Sequence, residues 1–344
     1  MRPLVAHLSA AALQHNYSRF PADTWAVVKA NGYGFGAVDV ARRLPNSPGF
    51  AVACLEEAIS LREAGITQPI LLLEGPFEAA EWYEIGAYQL DAVVHRPEQL
   101  EWIKALRTRS WAGIWLKIDT GMHRLGMTES EARSLVAQIN EMGVKRRVWM
   151  AHFACADDVQ SELPITQAPE NWALSLNNSA AGLSRKQLPD NWSRAGIALY
   201  GGSPIREKIA SALDLRPVQS LRSKVVATRA VPQGESVGYG ARWTASRDSV
   251  IATIPGGYAD GYLRSMPDGT PVSVAGGPVP LAGCVSMDRI TVDITDRPDI
   301  AVGAEVELWG EQISVDEVAQ KAGTIAYELF CNLAPRVARV WSEK

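Results

Sequence analysis

The chain has 344 residues, more than one average domain and enough for a large barrel with an added module. Hydrophobic residues make up 47% of it, so a sizeable core is available. A net charge of −4 and a pI near 5.8 argue against nucleic acid as a partner. In chain order, Ser9 followed by Ala10, Ala11, Ala12 and Leu13 reads as a capped helix. Strand candidates then recur at Trp25–Lys29, Phe50–Ala53, Pro69–Leu73, Leu90–His95, Gly113–Asp119, Val148–Phe153, Leu174–Ser179 and Arg194–Leu199. Helical patterns lie between most of them. One starts at Leu55-Glu56-Glu57 and stops at Gly65. Another opens on a capping-box pattern, Thr128 to Glu131, and ends at Gly143.

Eight strands separated by helices predict a (β/α)8 TIM-type barrel over residues 1–214. An open doubly wound sheet fits the same alternation. The polar residues favour the barrel. Lys29, Lys117 with Asp119, His152, Ser179 and Arg194 all fall near the ends of different strands. In a barrel those ends converge on one mouth, where active sites sit. After residue 214 the texture changes to short β-like runs at Ser223–Thr228, Val250–Ile254, Pro271–Val274, Thr291–Ile294 and Val306–Leu308. Leu215–Val218 reads as the seam, and residues 215–344 as a mainly β domain. A short helix from Ser314 precedes a last β-like segment near Trp341.

The stretch Ala26 to Gly36 (AVVKANGYGFG) carries the first chemical hint. An apolar run meets Lys29 where a buried strand gives way to a glycine-rich loop, expected to be flexible. Gly32, Gly34 and Gly36 would let backbone N–H groups approach an anion. A lysine amine beside an anion cradle suits a phosphorylated aldehyde. A strand-end lysine reaching for solvent is the plainer reading of the same residues.

Cys54, Cys155, Cys284 and Cys331 form no CxxC pair and read as reduced, mostly buried thiols of a cytoplasmic protein. The five histidines, His7, His15, His95, His123 and His152, show no metal-ligand spacing, so no metal is expected. No apolar run approaches the roughly 18 residues of a membrane span, and the first residues lack the apolar core of a signal peptide. No membrane partner is expected.

Several motifs in order make the chain resemble the alanine racemases, pyridoxal 5′-phosphate enzymes of the barrel-plus-β-domain type. They are Val28–Gly34 (VKANGYG), Leu116–Gly126 (LKIDTGMHRLG), Asn178–Ala181 (NSAA) and Arg194–Gly201 (RAGIALYG). In the second half stand Val237–Ala241 (VGYGA), Gly257–Gly261 (GYADG), Ser286–Asp288 (SMD) and Tyr327–Leu329 (YEL). Three positions depart from the pattern. Many relatives carry alanine at Gly32 and histidine at Phe35, and some carry cysteine at Ser286.

The resemblance implies that Lys29 forms an internal aldimine with pyridoxal 5′-phosphate, which serves as electron sink for the substrate Cα. Racemisation needs proton carriers on both faces of that carbon. The resemblance gives Lys29 and, from the partner subunit of a homodimer, Tyr239. A hydrogen-bonded chain is implied from Tyr239 through His152 to Arg194. Read alone, Tyr239 is a surface turn tyrosine and His152 a satisfied core histidine. Arg194 is expected at the pyridine nitrogen, which then stays unprotonated. Tyr33, Ser179, Gly196, Ile197 and Tyr327 are expected at the phosphate, and Arg124 at the phenolic oxygen and the substrate. Lys117 is the lysine that some relatives carbamylate. Tyr258 and Met287 of the partner are expected to bound the substrate, with Arg264 and Ile325 along the access corridor.

The implied activity is interconversion of L- and D-alanine, supplying D-alanine for peptidoglycan. A broader serine or lysine racemase would need more room than Tyr258 and Tyr327 leave. A non-catalytic, single-barrel cofactor-homeostasis protein would lack the β domain and Tyr239. A basic amino-acid decarboxylase does not suit the motifs around Tyr239 and Met287.

Overall fold

A computed structural model describes residues 2–104, 112–157, 167–184 and 191–343. They form two compact units. One holds Tyr17–Ala198 with Pro204–Arg206, and the other the described residues of Met1–Asn16, Leu199–Ser203 and Glu207–Lys344.

In the first unit, eight parallel strands run in sequence order around a barrel: Trp25–Val27, Phe50–Val52, Ile70–Leu72, Asp91–Val94, Gly113–Lys117, Arg146–Met150, Ala173–Ser175 and Arg194–Ala195. Trp25–Val27 pairs with both Phe50–Val52 and Arg194–Ala195, so the first strand lies beside the last. The remaining gap is bridged by Leu174 and Asn191, with the Trp192 N–H donating to the Leu174 carbonyl at 2.8 Å. An open sheet would not bring first and last strands together. All eight expected strands are present, most shorter than the apolar runs, because their last residues bend into the loops of the mouth.

The N-terminal ends of these strands are closed by aromatic packing. Trp25 meets Trp115 edge-on at 4.9 Å between ring centroids and stacks on Trp192 at 6.0 Å. Gly49 makes room for it, since a Cβ there would lie 2.6 Å from the Trp25 ring. Beside them the fully buried Asp91 accepts two bonds from Arg146, at 2.7 and 2.8 Å, and one from the Trp115 indole at 3.0 Å. This end of the barrel is a structural plug, and Lys29, Lys117 and His152 lie at or just after the opposite ends of their strands.

The second unit is mainly β. Its larger sheet has the order Gly277–Pro280, Pro271–Val274, Glu305–Trp309, Gln219–Lys224, Val5–Ser9, Ala338–Ser342. A three-stranded sheet joins Ala227–Val231, Ser249–Pro255 and Arg289–Asp293. A small hairpin pairs Ser236–Val237 with Trp243–Thr244. The units divide the chain differently from the boundary at residue 214. Residues up to Asn16 belong to the β unit because Val5–Ser9 pairs with Gln219–Lys224 and Ala338–Ser342. That strand is absent from the expected elements, and Ser9 both ends it and caps the helix Ala10–Ser18, accepting from the Ala12 N–H at 3.1 Å.

The cysteines also differ from expectation. They are free thiols, but Cys155 and Cys331 are exposed and Cys54 and Cys284 half-buried. Cys331 closes a helix, Ala326–Cys331, at its solvent end, and Cys155 lies in the loop after Arg146–Met150. Among the described residues no helix is long and apolar enough to cross a membrane.

Candidate active site

Lys29 follows the first barrel strand and opens an unusual turn. Ala30, Asn31, Gly32, Tyr33 and Gly34 all have positive φ, between 52° and 84°. Three of these carry side chains, and each non-glycine residue in this left-handed region costs about 1–2 kcal/mol. The turn is held from within, the Gly34 N–H donating to Ala30 at 3.0 Å and the Gly36 N–H to Asn31 at 2.9 Å. It is also held from outside. The Glu57 carboxylate accepts from the Ala30 N–H at 2.6 Å and from the Ala53 N–H at 2.8 Å. The Asn31 side-chain oxygen accepts from the Ala37 N–H at 3.0 Å.

This overturns the flexible anion-binding loop expected from the glycines. The N–H groups of Gly32, Gly34 and Gly36 are spent on Val28, Ala30 and Asn31 of the same turn. The glycines permit the left-handed path, and the turn fixes the position of Lys29.

Around Lys29 the mouth collects positive charge. Lys117 ends its strand with only 6% of its surface exposed. Burial, then Arg194 and Arg124, bring its amine down to about 8, with Asp119 opposing. His152 follows Arg146–Met150 and is pulled down to about 3, by burial first and then by Arg194, Lys117, Arg124 and Lys29. Arg194 is buried, which lowers it to about 9 and leaves it charged at neutral pH. Its terminal nitrogens donate to Ser175 and Ala151, at 2.9 and 2.8 Å to the carbonyls, and reach His152 Nδ1 at 3.4 Å.

Asp119 shapes the loop that presents the exposed Arg124. Desolvation pushes its carboxyl up, but the N–H groups of His123 and Gly121 and the His123 ring outweigh it, holding it below the usual range. Across the mouth, the Ser179 hydroxyl accepts from the Gly196 N–H at 2.7 Å. Gly196 has no room for a side chain, because a Cβ would run into the Tyr33 hydroxyl. Ile197 beside it is fully buried. The Thr120 hydroxyl is buried and has no partner among the described residues. The barrel thus brings together Lys29, Tyr33, Lys117, Arg124, His152, Ser179, Arg194, Gly196 and Ile197.

The remaining candidates lie on the β unit. Tyr239 stands at the tip of the small hairpin, 71% exposed, between Gly238 and Gly240 at φ 75° and 71°. The hairpin base packs Val237 and Trp243 on Val231, Ala245, Ile251 and Ala282. Arg242 pins the tip. It meets both Asp268 oxygens, at 3.1 and 3.2 Å, and the carbonyls of Met266 and Gly283, each at 3.0 Å. A cavity of about 390 Å3 opens beside Tyr239, lined in part by Cys284, Ser286 and Arg289.

Tyr258 and Met287 lie on two loops zipped together. The Tyr258 N–H donates to Ser286 at 3.1 Å, and the Ala259 N–H to Met287 at 3.0 Å. The buried Asp260 carboxylate anchors them, bonded to Arg2, to Arg336 at 2.7 Å and to the Gly257 N–H at 2.9 Å. Both Tyr258 and Met287 are exposed, as are Arg264 and Ile325. Tyr327 lies half-buried on the helix Ala326–Cys331.

Comparison with known proteins settles the family. Residues 8–204 match the alanine racemase N-terminal domain and residues 218–341 the alanine racemase C-terminal domain. The chain belongs to the alanine racemase family. It is 45% identical over 357 residues to the alanine racemase of Pseudomonas syringae pv. syringae, covering 100% of both chains. It is 44% identical over 347 residues to the catabolic alanine racemase of Pseudomonas putida, covering 97% of each. Its fold matches the crystal structure of the biosynthetic alanine racemase from Pseudomonas aeruginosa with a TM-score of 0.90, 42% identity and coverage of 99% and 100%.

Within this alanine racemase family member, several site-shaping residues escape a reading by motif. Glu57 reads as an ordinary acidic residue in a first helical turn. Asp260 sits inside the GYADG motif yet carries no catalytic signature, and Arg2, Arg242 and Arg336 have none at all. Their common signal is a charged side chain next to a glycine-rich loop, visible only once partners far apart in sequence are paired.

Proposed function

We propose that this chain interconverts L- and D-alanine in the cytoplasm, with pyridoxal 5′-phosphate at the barrel mouth, and so supplies D-alanine for peptidoglycan. One observation carries the reading. Five basic side chains, Lys29, Lys117, Arg124, His152 and Arg194, couple electrostatically in one mouth, and their charges add to burial in holding His152 neutral. Such a mouth calls for an anionic guest. The donor set fits a phosphorylated pyridine aldehyde: an amine on a fixed turn, hydroxyls at Tyr33, Ser179 and Thr120, and a side-chain-free position at Gly196. When bound, that group supplies the aldehyde for the amine and an electron sink for the Cα carbanion.

The chain's own residues do the rest. Lys29 holds the guest and carries a proton on one face of Cα. Arg194 would face the ring nitrogen with a donor that keeps its proton, so that nitrogen would accept and stay unprotonated. Tyr33, Ser179, Gly196 and Ile197 would enclose the phosphate. Arg124 would face the phenolic oxygen and the substrate carboxylate, and a carbamate on Lys117 would balance its charge. In a two-fold homodimer, Tyr239 of the partner subunit carries the proton on the other face. Its exposure at the tip of a pinned hairpin supports a role outside its own unit. Tyr258 and Met287 of the partner subunit limit the side chain to the size of a methyl group, against serine or lysine.

Exchange of the Cα proton with solvent deuterium tests this reading, followed separately from L- and D-alanine. Tyr239→Phe should slow exchange about 10²–10⁴-fold from one enantiomer and spare the other. Equal loss from both enantiomers, or none, would sink the two-sided mechanism.

A further inference from the structure

We infer that Glu57 is a positioning residue for Lys29: its carboxylate clamps the left-handed turn that aims the amine. This rests on the reading of Lys29 as the residue that captures the aldehyde. Strained turns persist only when their surroundings over-determine them. The turn after Lys29 runs through five successive residues of positive φ, and Glu57 supplies a charged acceptor from outside it. It binds the N–H of Ala30, the first residue after the lysine, at 2.6 Å. Its other oxygen takes the Ala53 N–H at 2.8 Å, at the end of the neighbouring strand Phe50–Val52. One side chain therefore ties the lysine turn to the adjacent strand and fixes where the amine emerges.

The chemistry of the clamp requires a carboxylate. Two separate N–H donors need two acceptor oxygens, and both are present at Glu57. Glutamine offers one acceptor and turns an NH2 group against the other N–H. Alanine offers none. Glu57→Gln should then behave almost as badly as Glu57→Ala, although it is nearly the same size. Glu56 is its exposed neighbour in the same helical turn and serves as the control.

The test is covalent trapping. Protein is mixed with pyridoxal 5′-phosphate, reduced with borohydride at timed intervals, and the adducts are located by peptide mass. Lys224, which is 51% exposed, reports general lysine reactivity in the same sample. Unmodified protein should label Lys29 far ahead of Lys224. Glu57→Gln and Glu57→Ala should lower that preference about tenfold to a hundredfold, the worth of a charge-assisted hydrogen bond, while Glu56→Gln keeps it. Amide hydrogen exchange on Glu57→Gln gives a second readout, independent of the guest. The Ala30 N–H should exchange at least tenfold faster while the amides of Leu55–Glu63 keep their protection. Unchanged Lys29 trapping in Glu57→Gln, or an unchanged Ala30 amide, overturns the clamp. Absence of any Lys29 preference in the unmodified protein takes down the reading of the site and the clamp with it.

Discussion

Arg194 sets a guanidinium nitrogen 3.4 Å from Nδ1 of His152, and the pair shares one positive charge rather than two. Arginine keeps its proton, so the imidazole must remain neutral and accept. Burial and the other mouth cations act in the same direction, bringing His152 to about 3. In the unfolded chain the same ring protonates near 6.5. Between these values the unfolded state binds the extra proton, so stability falls as pH drops from about 6.5 toward 3. Above 6.5 the residue contributes no slope. Histidine NMR of the cofactor-free protein should show the His152 ring still neutral at pH 5, and a ring that titrates near 6.5 would refute the shared-charge arrangement.

Lys117 gives the opposite edge of the pH range. Its amine, brought to about 8 by burial and by Arg194 and Arg124, protonates near 10.4 when unfolded. Between the two values the unfolded chain holds more protons, so stability rises with pH from about 8 to 10.4, and below 8 the full penalty persists. Lys117→Met should therefore stabilise the cofactor-free protein at pH 7 by about 1–3 kcal/mol in urea unfolding, in buffer free of carbon dioxide. The gain should shrink above pH 8. With 13C-bicarbonate present, the neutral amine should give a carbamate signal above pH 8 that Lys117→Met lacks.

The barrel was legible because eight buried strands announce themselves as apolar runs, and because their polar last residues share one mouth. Val5–Ser9 was not, since its pattern of half-buried residues is short and its partners lie more than two hundred residues away. The proposed site residues were picked out by motifs, but their supports were not. Glu57, Arg242 and Asp260 act through hydrogen bonds to loop backbone, and backbone acceptors and donors leave no trace in side-chain spacing. The glycines after Lys29 misled for the same reason: they signal backbone freedom, whereas their N–H groups are consumed by the turn they permit.

Arg242 should matter to Tyr239 although it is three residues away from the hairpin tip. Its four contacts to Asp268, Met266 and Gly283 are spread over one planar fork, and Asp268 in turn accepts from the Gly283 N–H at 2.7 Å. A lysine cannot span them. If Tyr239 moves protons, as proposed, Arg242→Ala and Arg242→Lys should both lower kcat for alanine racemisation about tenfold, with KM changed less than threefold. Arg247→Ala, which removes an exposed pair with Asp296, should leave kcat unchanged. A loss confined to KM would assign Arg242 to substrate binding instead.

Asp91 tests whether the two ends of the barrel are separable. It is fully buried, holds Arg146 through two bonds and satisfies the Trp115 indole, all at the end of the strands away from Lys117. Asp91→Ala strands the Arg146 charge and orphans the Trp115 N–H, so it should cost about 3–5 kcal/mol, read as a lower Tm and urea midpoint. Replacing the pair together, Asp91→Leu with Arg146→Met, removes both charges and should recover much of that loss, since a buried ion pair repays little beyond its own desolvation. The plug shares no side chain with the mouth, so below its Tm the double variant should racemise alanine within about threefold of the unmodified protein. A large drop in kcat at full folding would mean that the plug sets the spacing of the strand ends around Lys29, and the division into a structural floor and a chemical mouth would have to be given up.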